Sequence, residues 1–270
     1  MPYFNIVAET SENTVVTEYE PVKKRSDSYQ SEAELEQKFI RLLCEQGYEY
    51  LSIHTEKDLI VNLRKRLEEL NNYQFSDTEW DDFFKNAIAN PNEHIVEKTR
   101  KIQEDNIQVL TRDDGSSKNI TLIDKKNIHN NRLQVINQYK VNASTASSKD
   151  SLDCAIGTEN GAKYNNRYDV TVLVNGLPLI HIELKRRGVA IREAFNQINR
   201  YQRDSFWAGY GLYEYIQIFV ISNGTDTKYY SNSTRRNAEK EHDKQGSSKT
   251  RTSNSFEFTC FWADANNRVI

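Results

Sequence analysis

The stretch from Arg167 to Lys185 constrains the fold more than any other part of the chain. Two apolar-rich runs, Tyr168–Val174 and Leu179–Lys185, flank a short connection containing Asn175-Gly176. Asn-Gly is the strongest two-residue hairpin signal, because both residues tolerate positive φ. In the second run a period of two puts His181, Glu183 and Lys185 on one face, and Ile180, Ile182 and Leu184 on the other. That apolar face must pack against helices. A strict two-residue loop would pair Val174 with Leu177, setting Asp169 opposite Ile182 on the apolar face. Moving the register by one residue pairs Val174 with Pro178 and sets Asp169 opposite Glu183. Pro178 cannot donate to the ladder, which favours an irregularity. The expectation is therefore an irregular hairpin, with a three-residue loop or a bulge in either strand, or a first strand bent sharply near Tyr168. Either would bring the two carboxyl groups within about 4–6 Å.

Elsewhere the pattern alternates between helical and extended. Ser31 and Glu34 form a capping-box signature, and Leu35, Phe39, Leu42 and Leu43 follow at helical spacing. A helix over about 31–46 is expected, closed by Gly47, with a strand over Tyr48–Ile53 after it. On its wheel Glu36 falls with Phe39, Ile40 and Leu43 at the inner margin, whereas Glu34 falls outside; Glu32 is also inner, a turn earlier. Residues 56–104 predict a packed helical insertion: a stripe of Leu59, Leu63, Leu67 and Leu70, a second capping box at Ser76 and Glu79, and a helix started by Pro91. Strands are then expected over Asn106–Leu110, Ile120–Asp124, Leu133–Tyr139, Tyr215–Ser222, Lys228–Tyr230 and Phe256–Trp262, with one helix near 190–203. Polar loops are expected over 141–166 and 232–255, the latter mobile. Residues 1–30 give no clear pattern. The fold class is α/β, a mixed, mostly antiparallel sheet flanked by helices.

The polar face of the hairpin carries the chemistry. Two neighbouring carboxylates, Asp169 and Glu183, repel each other unless a cation sits between them. An all-oxygen pair with a lysine alongside suits Mg²⁺, which takes one or two carboxylates, waters and phosphate oxygens. The net charge of −3 conceals an asymmetry: residues 1–160 hold 20 Lys+Arg against 28 Asp+Glu, and residues 161–270 hold 16 against 11. A phosphate-contacting surface belongs in the second half. Lys185-Arg186-Arg187 is its densest run beside the acids. His181 shares their face and is read as a wall, not a ligand. Gly246-Ser-Ser-Lys-Thr lacks the order and upstream glycine of a phosphate-binding loop.

The spacing D-x₁₃-E-x-K resembles that of the PD-(D/E)xK nucleases. The block NRYDVTVLVNGLPLIHIELKRRGVAIREAFNQINRY, residues 166–201, closely resembles the nuclease core of type I restriction motor subunits. So do SYQSEAELEQKFIRLLCEQGYEYLS, LIDKKNIHNNRLQVINQY and YIQIFVISNGTDTKYY, so the likeness extends over most of residues 28–230. It implies one nuclease domain over 1–270, with a restriction-endonuclease-like sheet. Asp169 and Glu183 would bind Mg²⁺ with a backbone carbonyl near Leu184, and Lys185 would orient the attacking water. Glu36 matches the first-helix acid of related nucleases and would support the metal. Gln197 and Tyr201 match the Q-x₃-Y element of the RecB-like branch, bracing the core or touching DNA, and Arg186 and Arg187 would follow a phosphate backbone. Tyr168, where the family pattern has proline, is a departure that relaxes the first half of the motif.

The resembled subunits are longer and carry two ATPase lobes, so ATP is expected only for motor domains absent from this chain. The partners implied are double-stranded DNA and the methyltransferase and specificity subunits of a restriction complex. Two rival readings exist: an inert docking module between motor and methyltransferase, and a carboxylate-pair hydrolase such as a glycosidase. The latter has no need of a lysine two residues from one acid. No apolar run approaches the roughly 18–20 residues of a membrane span, no signal peptide is apparent, and Cys44, Cys154 and Cys260 fit neither a disulfide framework nor a zinc site. A reducing cytoplasm is expected.

Overall fold

The computed structural model describes residues 4–9, 15–19, 31–141, 165–232, 255–264, 266, 268 and 269. The expected loop residues 142–164 and 233–254 therefore lie outside the described residues. A small antiparallel pair, β1 (Phe4–Glu9) and β2 (Val15–Tyr19), occupies the region left unassigned from sequence.

Helix α1 (Glu32–Glu45) starts where the capping box places it: Ser31 accepts from Glu34 N, and the Glu34 carboxylate returns to the Ser31 backbone. Gly47, at φ +92°, turns the chain out of the helix. The expected strand after it shrinks to β3 (Glu49–Tyr50). Three helices follow, α2 (Glu56–Asn71), α3 (Asp77–Phe83) and α4 (Ile95–Gln103). The second capping box, Ser76 with Glu79, is also formed, but α4 begins after His94 and not at Pro91. β4 (Ile107–Thr111) and β5 (Ser117–Thr121) make a separate hairpin.

The main sheet has seven strands in the order β11-β10-β9-β8-β7-β6-β3. These are β6 (Leu133–Val141), β7 (Asn166–Val174), β8 (Leu177–Leu184), β9 (Ile218–Ser222), β10 (Thr227–Ser231) and β11 (Cys260–Phe261), with β3 at the far edge. β3 with β6 and β8 with β9 run parallel; the other neighbours run antiparallel. This is the mixed α/β architecture expected. Helix α5 (Ile191–Asp204) connects β8 to β9, the kind of crossover a parallel pair requires.

Two apolar clusters divide the interior. Leu43 of α1, with Phe39 and Ile40, covers Val135, Val170, Val172, Ile182 and Leu184. The larger cluster holds Ala194, Phe195, Ile198 and Tyr201 of α5, Leu59, Leu63 and Leu67 of α2, and Tyr139, Tyr168, Phe219 and Ile221 from the sheet. The 56–104 helices therefore share the principal core with the sheet. At Gly176 an added Cβ would stand 2.6 Å from Leu63 Cα, so α2 lies directly on the hairpin tip and only glycine fits there.

Candidate active site

The tip of the β7–β8 hairpin is a regular two-residue turn after all. Asn175 and Gly176 have φ +51° and +85°, and Val174 pairs with Leu177. The register changes beyond the turn: Leu173 pairs with Pro178 but Val172 pairs with Ile180, which leaves Leu179 as a bulge. That one extra residue carries Val170 opposite Ile182 and brings Asp169 level with Glu183. Strand β7 also changes face near its start. Tyr168 and Val170 are two residues apart, yet they belong to the two different clusters. One of the irregularities expected from sequence is present, the bulge in the second strand, while the turn itself is regular.

Asp169 Oδ2 accepts the Leu184 N–H at 3.0 Å, and its carboxyl is close enough to Glu183 for the Glu183 charge to act on it. Glu183 is wholly buried. Its Oε1 takes a hydrogen bond from Lys185 Nζ at 3.0 Å, and its Oε2 has no hydrogen-bond partner. The face carrying His181 and Glu183 was expected to be a polar strand face; it is instead roofed by aromatic rings. His181, also fully buried, stands edge-on to Tyr168, Tyr201 and Phe206. Its Nε2 is 3.5 Å from Glu183 Oε2, too long an approach for a good hydrogen bond.

Burial sets the electrostatics. It pushes the Asp169 carboxyl up to about 7, helped by the Glu183 charge and opposed by the Leu184 N–H and Lys185. Burial likewise pushes Glu183 up to about 7 against the pull of Lys185. The same burial drops His181 to about 4, so its ring is neutral at ordinary pH. Near neutrality the two carboxyls hold protons that exposed acids would have lost.

The remaining expected residues surround this pair. Glu36 is buried, and Asn137 Nδ2 and Gln138 Nε2 donate to its two oxygens. Burial raises its pKa and the Asp169 charge adds to the rise, so the two acids feel each other. Glu32 accepts the Arg186 backbone N–H at 3.3 Å. Gln197 donates to Tyr201 Oη, which donates to Arg167 O at 2.8 Å, tying α5 to the start of β7. The Arg186 and Arg187 side chains are exposed, with Arg187 Nε on Gly224 O at 3.2 Å. Asn137 and Gln138 were not anticipated; in the run VINQY nothing separates them from ordinary strand polars.

A divalent cation fits this donor set. Glu183 Oε2 is a buried oxygen without a hydrogen-bond partner, Asp169 stands beside Glu183 on the next strand, and Mg²⁺ needs only one or two carboxylates besides waters and phosphate oxygens. Among the described residues, no three His, Cys, Asp or Glu side chains converge into a larger cluster.

The family model of the type I restriction enzyme R protein N terminus matches residues 29–238. The chain belongs to this family. The endonuclease subunit of type I restriction enzyme EcoprrI from Escherichia coli is 43% identical over 265 residues, covering 98% of this chain and 74% of the relative. The corresponding SsaAORF53P subunit of Staphylococcus saprophyticus is 37% identical over 209 residues, 76% of this chain but 20% of its own length. The SauMSSORF170P subunit of Staphylococcus aureus gives 37% over 210 residues, again 20% of the relative. This R-protein N-terminal chain thus spans about a fifth of the staphylococcal relatives. Its acid pair lies within the matched region. No helix among the described residues is long and apolar enough to cross a membrane.

Proposed function

We propose that this R-protein N-terminal domain hydrolyses DNA phosphodiester bonds with a Mg²⁺ ion held by Asp169 and Glu183. The observation that carries the reading is a wholly buried Glu183 beside a half-buried Asp169, with Lys185 on Glu183 and one Glu183 oxygen left over. A divalent cation there supplies Lewis acidity and neutralises charge building on the phosphate. The chain's own groups do the rest. Asp169, fixed by the Leu184 N–H, and Glu183, fixed by Lys185, would hold the cation. The Lys185 ammonium would orient the attacking water and accompany the phosphate oxygens as the water oxygen bonds to phosphorus, one ester P–O bond breaks, the water's proton passes to solvent and the departing ester oxygen takes up a proton. Glu36 adds negative charge from the α1 side. Gln197 and Tyr201 keep β7 in register with α5, and Arg186 and Arg187 follow the backbone without reading bases.

In longer relatives ATP-driven motor lobes would deliver duplex DNA, and methyltransferase and specificity subunits would supply recognition. A docking module without catalysis would not need a buried acid pair, which costs stability and contributes no packing. Nicking of supercoiled plasmid by the 270-residue chain tests the proposal. Activity is expected with Mg²⁺, none with EDTA, and a loss of at least about 100-fold in Asp169→Ala and Glu183→Ala. Cutting by either variant at the wild-type rate contradicts it.

A further inference from the structure

We infer that Gln138 is a positioning residue that sets Glu36 toward the cation site, and that its unusual backbone is kept for this task. The inference rests on the metal reading above. Gln138 lies in the middle of β6 with φ +53°, a left-handed conformation that residues other than glycine, asparagine and aspartate rarely adopt. Nothing about a turn requires it there, because the strand continues on both sides.

What the conformation achieves is visible in the faces. Regular alternation would send Asn137 and Gln138 to opposite sides of the sheet. Instead Ile136 and Tyr139, three residues apart, both enter the larger core, while Asn137 and Gln138 both donate to Glu36. One carboxylate therefore receives an amide on each oxygen from successive residues. The place is equally telling. The pairs Asn137↔Val170 and Tyr139↔Tyr168 bracket Gln138 and Asp169, so the left-handed residue faces the site acid across the ladder. Strain persists at a position only where the surroundings over-determine it, and it collects at functional sites. A buried acid needing only hydrogen bonds could obtain them from an unstrained strand. Two amides gripping both oxygens fix the plane of the carboxylate, and groups that orient metal-supporting carboxylates typically change metal affinity about 10–100-fold when lost.

The test is a calorimetric Mn²⁺ titration of the 270-residue chain in wild type, Gln138→Gly, Glu36→Gln, the double variant and Asp169→Asn. Glycine accepts the left-handed backbone and removes the amide. About tenfold weaker Mn²⁺ binding is expected in Gln138→Gly. The double variant should be no weaker than Glu36→Gln alone, because Gln138 acts through Glu36. Gln138→Asn, whose shorter amide cannot reach Glu36, should reproduce the loss if the glycine variant folds poorly. Wild-type affinity in a folded Gln138 variant overturns the inference, and so do losses that multiply in the double variant. Asp169→Asn separates the two levels. If it binds Mn²⁺ like wild type, the cation reading fails and this inference with it. If it loses binding while Gln138→Gly retains it, only the inference fails.

Discussion

Two buried charged groups in this molecule are handled in opposite ways. In the helical layer, Lys98 of α4 is 2% exposed, and its ammonium meets Glu214 Oε2 and Gly211 O, each at 2.9 Å, with the Tyr215 ring 5.6 Å away. Its charge is opposed and its hydrogen bonds are made. At the carboxylate end, Asp169 and Glu183 place like charges together, and one Glu183 oxygen is left without a partner. The first arrangement is complete within the chain. The second leaves one oxygen without a hydrogen-bond partner. The two sites are thus distinguished by what remains unsatisfied, since burial alone is common to both.

Removing one partner from each should therefore act in opposite directions. Lys98→Met strips the counter-charge from Glu214 and should cost about 3–5 kcal/mol in urea unfolding. A loss below about 1 kcal/mol would mean that the helical pair is not the anchor described. Glu183→Gln should instead stabilise the metal-free chain by about 1–3 kcal/mol near pH 8, because it removes a buried charge facing another.

The pH dependence sharpens the contrast. Asp169 and Glu183 are raised from 3.8 and 4.5 to about 7 when folded. Between about 4 and 7 the folded chain holds more protons than the unfolded one, so this pair makes stability fall as pH rises. The penalty is fully present above about 7 and gone below about 4. Metal-free wild type should gain on Glu183→Gln as pH drops from 8 to 5, and a constant gap between the two would refute the assignment. Carboxylates with lowered pKa, such as Glu79 and Asp124, act oppositely and at lower pH, and they cancel in the comparison. The smallest effect expected is Tyr201→Phe. It removes the bond to Arg167 O and the one from Gln197, at about 1–2 kcal/mol. Equal melting of variant and wild type would show that the brace contributes nothing.

Features with local physical causes were legible in the sequence. Both capping boxes formed, because a side chain three residues from its partner needs no tertiary context. Asn175-Gly176 gave a type of turn whose positive φ values those residues favour. The need for a register shift followed from counting, given the two acids. Its location at Leu179 did not, since a bulge is chosen by packing on both faces. The polar reading of the His181–Glu183 face failed for a related reason: alternation tells which side chains share a face, and α5 with Phe206 decided that this one would be covered. β3 shortened to two residues, and α4 began after His94, where the Glu97 carboxylate takes the His94 backbone N–H, a local cap that Pro91 had obscured. Gln138 was invisible, as the carboxylate it grips, Glu36, lies about a hundred residues away in the sequence. The Asp169, Glu183 and Lys185 assignment came from family resemblance, which alone separates them from charged residues on any strand.

The central claim is that the two carboxyls are held partly protonated until a cation replaces the proton. Calorimetric titration of Mg²⁺ into the 270-residue chain at pH 6.5, in two buffers of different ionisation enthalpy, counts the protons released on binding. Roughly one proton per cation is expected from wild type, with clearly fewer from Asp169→Asn or no binding at all. Binding of Mg²⁺ with no proton release, or with the same release in Asp169→Asn, would contradict the account.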